Sequence, residues 1–174
     1  MPSIVLIGAP GAGKSTVGRE LAEMMGATFL DTDQLIEEAT GESIADIFIN
    51  QGEAEFRRLE RQCVAGLLQE SDGSSSSQVI SVGGGAVLNP DTQSDLRAVS
   101  VAWLVVDLAD ALKRVGMNQS RPLLLGNVRA NMITLMHERA PIYESLANIT
   151  LNTSEMSVTE CASELRQFIE SRQT

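Results

Sequence analysis

A chain of 174 residues, 43% apolar and 21% charged, has room for one domain with a buried core that needs no disulfide staples. Its 13 Lys and Arg against 23 Asp and Glu leave a formal net charge of −10. That is the wrong sign for a nucleic-acid binder, but no obstacle to a small anion held by local arginines. Cys63 and Cys161 lack metal or redox spacing and read as apolar fillers in a reducing cytoplasm, and no stretch has the make-up of a secretory signal or a membrane span.

Taken in order, Ser3 to Ile7 is a continuous β-branched run, the pattern of a strand buried on both faces. Ser15 to Met25 carries Val17, Leu21, Met24 and Met25 at helical spacing and stops at Gly26. A short strand is expected over Ala27 to Leu30. Helices are expected over Gln34 to Ala39, Ser43 to Asn50 with Ser43 as N-cap, and Glu53 to Gln69. Asp72 to Ser77 is a polar, serine-rich patch and reads as a surface loop.

Gln78 to Val82 is a third strand, followed at once by Gly83, Gly84 and Gly85. Val101 to Val106 is a fourth, with a helix starting near Asp110. Met117 to Asn127 has the make-up of a long loop. Asn131 to Arg139 reads as a helix that stops before Pro141. Ile149 to Leu151 is a fifth strand, and Val158 to Ser171 a closing amphipathic helix. Strands alternating with helices predict an α/β domain: a five-stranded parallel sheet flanked by helices on both faces. Ligands in such folds sit at the carboxyl ends of strands, which directs attention to Gly8 onward, Asp31 with Asp33, and Gly83 to Gly85.

Gly8 to Ser15, "GAPGAGKS", fits G-x-x-x-x-G-K-S/T in the context that pattern requires, after a buried strand and before a helix. Glycines let backbone N–H groups turn inward around a phosphate, and the helix adds the positive end of its dipole. Gly11, Ala12, Gly13, Lys14, Ser15 and Thr16 are therefore the candidate nucleotide-binding residues. Lys14 reaches the β- and γ-phosphates, and the Ser15 hydroxyl is a Mg²⁺ ligand. Neither the DxxG nor the NKxD motif of a regulatory GTPase accompanies the loop, and the length suits a small-molecule kinase.

The stretch "FLDTD" places two acids where a strand stops. If extended geometry persists through residue 33, Asp31 and Asp33 point to one side. One can then balance Mg²⁺ through water, and the other can take the proton of an attacking hydroxyl. The alternative is an Asx-type cap on the following helix, with Asp33 just before Gln34-Leu35-Ile36-Glu37.

"GAPGAGKST", "LDTD", "SIADIF", "GEAEFRRLE", "SVGGGAV", "RPLL" and "ERAPIYE" occur in an order that resembles the shikimate kinases, from about Ile4 to Glu144. The resemblance implies a P-loop kinase fold over residues 1–174, with a substrate-binding segment at 32–60 and a mobile lid at 113–126. It implies ATP as co-substrate, Mg²⁺ as cofactor and shikimate as acceptor. Asp33 matches the residue that hydrogen-bonds substrate hydroxyls and acts as base, which leaves Asp31 to the metal with Ser15. Arg57 and Arg139 match the arginines that bind the substrate carboxylate, a task that suits the planar guanidinium fork. Glu60 matches a residue that orients Arg57, and Phe48 and Phe56 match apolar walls of the pocket. Gly83, Gly84 and Gly85 match a loop whose backbone approaches the ring.

Arg121, before Pro122, matches a lid arginine that neutralises charge on the transferring phosphoryl group, and Arg114 a nucleotide contact. Arg58 points about 100° from Arg57 on a helix and is expected in solvent or a salt bridge. His137 is read as a surface residue. The sequence departs from the family at Ser154 and Glu155, where an adenine-stacking basic residue is common, at the Ser74–Ser77 insert and at Met117. A kinase for another sugar acid such as gluconate, or a nucleotide-binding regulator without transfer, is the competing reading. A cytoplasmic monomer that binds neither nucleic acid nor membrane is the expected form.

Overall fold

The computed structural model describes residues 3–73, 76–116 and 127–172, with the backbone alone for 71–73. Five strands form one parallel sheet: β1 (Ile4–Ile7), β2 (Thr28–Asp31), β3 (Gln78–Ser81), β4 (Ser100–Val105) and β5 (Ile149–Asn152). Their spatial order is β2-β3-β1-β4-β5. The expected α/β architecture is therefore present. Among the described residues no helix is long and apolar enough to cross a membrane.

The continuous apolar run of β1 explains the layering. Ile4 and Leu6 face one core, with Leu21 of α1 (Lys14–Met25) and Leu165 of α8 (Val158–Ser171). Val5 and Ile7 face the opposite core, with Val64 of α4 (Glu53–Gly73), Leu96 of α5 (Pro90–Leu96) and Tyr143 of α7 (Val128–Leu146). All four β1 side chains are fully buried, which only a central strand with period-two alternation and two covered faces allows. A smaller third cluster, Ile36, Ile44, Ile47 and Phe56, ties α2 (Thr32–Thr40) and α3 (Ile44–Gln51) to α4.

Four elements depart from the sequence expectation. Helix α2 begins at Thr32, not Gln34, because the Asp31 carboxylate caps it, accepting from Asp33 N at 3.1 Å and Gln34 N at 3.5 Å. Helix α7 does not stop before Pro141 but continues to Leu146. Proline there removes a bond to the carbonyl of His137. Both residues are exposed, while Met132 before them and Tyr143 and Leu146 after them are buried, so packing on either side carries the helix through. Helix α5 has no counterpart in the periodicity. It rests on an Asn89 cap, accepting from Asp91 N at 2.9 Å and Thr92 N at 3.1 Å, with Pro90 in the first turn. Helix α4 also runs on to Gly73, into the expected serine-rich loop.

The strand order sets up the site. β3 lies between β2 and β1, so the segments leaving their carboxyl ends are neighbours: Asp31 to Asp33, the triple glycine, and the loop from Gly8.

Candidate active site

The loop after β1 is shaped by its glycines. Gly11 and Gly13 have φ of 79° and 86°, in the left-handed region that favours glycine. The loop's outward carbonyls are held from the far side. Arg114 of α6 (Leu108–Gly116) donates from Nη1 to Gly11 O at 3.0 Å, and the Thr153 hydroxyl donates to Ala12 O at 2.8 Å. With those carbonyls turned away, the N–H groups of the first turn of α1 remain for an anion. Lys14, 8% exposed, donates from Nζ to Gly8 O at 2.8 Å and Ala9 O at 3.3 Å, which keeps its ammonium over the loop. A cavity of about 330 Å³ opens there, lined by Gly11, Gly13, Lys14, Ser15, Thr16, Asp31, Asp33, Gly83 and Arg114 among others. A second hollow runs from Gly13, Thr16 and Arg114 to Met156 and Val158. Arg114 thus borders both, while Ser154 spends its hydroxyl on Asp107 N at 2.9 Å.

Asp31 and Asp33 both reach the cavity, but not by strand alternation. Asp31 ends β2, caps α2 and accepts the Ser15 hydroxyl at 2.6 Å. Asp33 lies in the first helical turn and borders the triple glycine, where a Cβ added to Gly83 would stand 3.0 Å from its Oδ1. A cap is present, but Asp31 makes it and not Asp33, because the helix starts at Thr32 and takes Asp33 into its first turn; the cap thereby aims Asp33.

The triple glycine is crowded by charged side chains. A Cβ on Gly84 would lie 3.4 Å from Arg139 Nη1 and 3.0 Å from Gly8 O, and one on Gly85 would collide with the Arg57 guanidinium. Glycine is needed here for close approach. Arg57 is held by Glu60 at 2.7 Å, with Glu53 at 3.5 Å, and rests over the Phe56 ring at 5.3 Å. Glu60 is almost fully buried, so the pair is fixed rather than a loose surface contact. Phe48 stacks against Phe56 with centroids 4.8 Å apart. Arg58 points to solvent and pairs with Glu55 at 2.6 Å, which holds that carboxyl below its ordinary pKa.

Arg139 is 8% exposed, and no carboxylate pairs with its guanidinium among the described residues. His137 is exposed on the same helix. Arg121 and Met117 lie outside the described residues. Thr32, Thr153 and Tyr143 are polar side chains at the site to which the sequence assigned no role, although Thr32 lies in "LDTD" and Tyr143 in "ERAPIYE". Each acts on a segment distant in sequence, so only the fold reveals it.

A family model described as shikimate kinase matches residues 10–170. A shikimate kinase from Thermobifida fusca is 52% identical over 161 residues, 92% of this chain and 91% of its own length. One from Salinispora tropica is 45% identical over 170 residues, 98% of this chain and 99% of its own. Among solved structures, a shikimate kinase from Acinetobacter baumannii in complex with shikimate superposes with a TM-score of 0.91 at 34% identity, covering 99% of this chain and 94% of that one. With the phosphate loop, the acid pair and the arginine-lined glycine loop joined on one sheet end, and relatives matching almost end to end, the chain belongs to the shikimate kinase family.

Proposed function

We propose that the protein transfers the γ-phosphoryl group of ATP to the 3-hydroxyl of shikimate, giving shikimate 3-phosphate and ADP, within chorismate and aromatic amino-acid synthesis. One observation carries the acceptor assignment: Arg139 is nine-tenths buried without a carboxylate among the described residues, beside the glycine loop that Arg57 also borders. A buried guanidinium with no internal anion is costly and fits a substrate that brings its own carboxylate.

In this reading Asp33 accepts the proton of the 3-hydroxyl as its oxygen attacks the γ-phosphorus. The bond to the β-phosphate oxygen breaks, and ADP leaves. Lys14 and the loop amides of Gly11 to Thr16 hold the phosphates, and Arg114 lies alongside the nucleotide. Arg121, outside the described residues, is assigned the neutralisation of charge on the group in transit. Gly83 to Gly85 and the two arginines fix the ring, so positioning supplies much of the rate.

Ser15 and Asp31 would hold Mg²⁺. Their oxygens lie 2.6 Å apart at the phosphate loop, and among the described residues no group of three or more His, Cys, Asp or Glu is built to hold a metal. That sparse set suits a cation that takes most of its shell from phosphate and water. Bound there, it would offset phosphate charge. The protein is assigned as a cytoplasmic monomer, since one chain supplies every group named.

The test is ADP release from Mg·ATP with shikimate, with gluconate and with neither. Release that depends on shikimate supports the proposal. Release with gluconate alone would overturn the acceptor assignment, and release indifferent to both would overturn the transfer itself.

A further inference from the structure

Two buried hydroxyls that take no part in the transfer are bonded to the triple-glycine loop. The Thr32 side chain, 0% exposed, accepts from Gly83 N at 3.1 Å. The Tyr143 hydroxyl, on a side chain 1% exposed, donates to Gly84 O at 2.6 Å. We infer that Thr32 and Tyr143 are positioning residues that fix Gly83–Gly84 in the shape that receives the acceptor substrate.

Three consecutive glycines have the widest backbone freedom a chain can have, so such a loop holds one shape only if other elements impose it. Here the loop is fastened on both sides. Thr32 precedes Asp33, so its bond sets Gly83 against the acid of α2. Tyr143 lies one turn beyond Arg139 on α7, so its bond sets Gly84 against that guanidinium. The Gly83 carbonyl is used by Ala86 N at 2.9 Å. The N–H groups of Gly84 and Gly85 donate to no group among the described residues. The two anchors take Gly83 N and Gly84 O, the turn itself takes the carbonyls of Gly83 and Gly85, and the amides of Gly84 and Gly85 are left beside the arginines as donors for a carboxylate or hydroxyl.

The inference rests on the kinase reading, and its test separates the two. In Tyr143→Phe and Thr32→Val the shikimate KM should rise about tenfold, the order of one lost buried hydrogen bond, with the ATP KM unchanged. Thr32→Ser keeps the acceptor oxygen and should restore the wild-type shikimate KM. An unchanged shikimate KM, or equal rises in both KM values, overturns the assignment.

Amide hydrogen exchange across residues 82–86 of the ligand-free protein provides the second readout, and it should quicken in both anchor-less variants but not in Thr32→Ser. Unaltered exchange in both variants overturns the anchoring whatever the activity. A wild-type protein without shikimate-dependent ADP release would sink the kinase reading, and exchange alone would then decide the anchors.

Discussion

Asp33 and Asp31 stand two residues apart and are held by different forces. Asp31 is committed on both oxygens, one to the backbone of α2 and one to Ser15, so it is a structural group beside its proposed place on the metal side. Asp33 is carried by the helix that Asp31 caps. Asp33→Asn therefore keeps shape and cap while removing the proposed base, and kcat should fall about a hundredfold or more with ATP affinity little changed. Steady-state kinetics beside calorimetric ATP binding would check this, and equal losses in both would remove the role.

The same acids act on Cys63, whose thiol donates towards Thr32 O at 4.0 Å. Burial first, then the charges of Asp33, Glu60 and Asp31, push its pKa from 9.0 to about 11. The thiol is neutral at physiological pH, so iodoacetamide at pH 8 should modify it about a hundredfold more slowly than a thiol of ordinary pKa. Because the folded pKa is raised, Cys63 contributes almost nothing to pH dependence below about pH 8. Stability should fall above that as the unfolded thiol ionises first. Alkylation at the ordinary rate would mean that the thiol is neither buried nor faced by the acids.

At the scale of elements, the phosphate loop depends on a residue far along the chain. Thr153 follows β5 and donates to Ala12 O at 2.8 Å and Val105 O at 3.1 Å, while accepting from Arg114 Nη1 at 3.1 Å. Thr153→Val keeps the volume and removes the side-chain donor to Ala12 O, while Val105 O keeps the Thr153 backbone N–H and Arg114 keeps Gly11 O. The ATP KM should rise roughly five- to tenfold with the shikimate KM unmoved, and a shift in the shikimate KM instead would deny this division of labour.

Such contacts mark where reading the chain stops. Every strand was legible from apolar runs and punctuation. The phosphate loop was legible because its glycines and lysine are contiguous, and Arg57 was separable from Arg58 by family register, which the Glu60 pairing matches. The course of α7 through Pro141 was not legible, because local propensity argues for a stop and only tertiary burial of Tyr143 and Leu146 outweighs it. Helix α5 was hidden for a different reason. Seven residues are too few for a periodic stripe, although Asn89-Pro90 carried its start signal. Asp33 was placed in the right cavity by the wrong geometry, since an extended run and a capped helix both carry it there.

For the whole molecule, the proposed acceptor site lies where α2, α4, the loop after β3 and α7 converge, and the convergence holds Arg139 in a poor place for stability. The folded chain keeps Arg139 nine-tenths buried with no carboxylate on it among the described residues, a cost that binding an anionic substrate would relieve. Arg139→Met retains the apolar stem and removes the charge. Its melting temperature without ligand should equal or exceed that of the wild type.

At shikimate one hundred times its Kd, binding adds about 2.7 kcal/mol to the wild type. For a chain of this size that is a rise of roughly 5–10 °C, which Arg139→Met should lose. The rise caused by ADP should survive in the variant, because the phosphate loop lies on the other side of the glycine segment. A variant that melts well below the wild type without ligand would show Arg139 to be a structural cation with a partner of its own. A variant that keeps the full shikimate shift would move the carboxylate site away from α7 altogether.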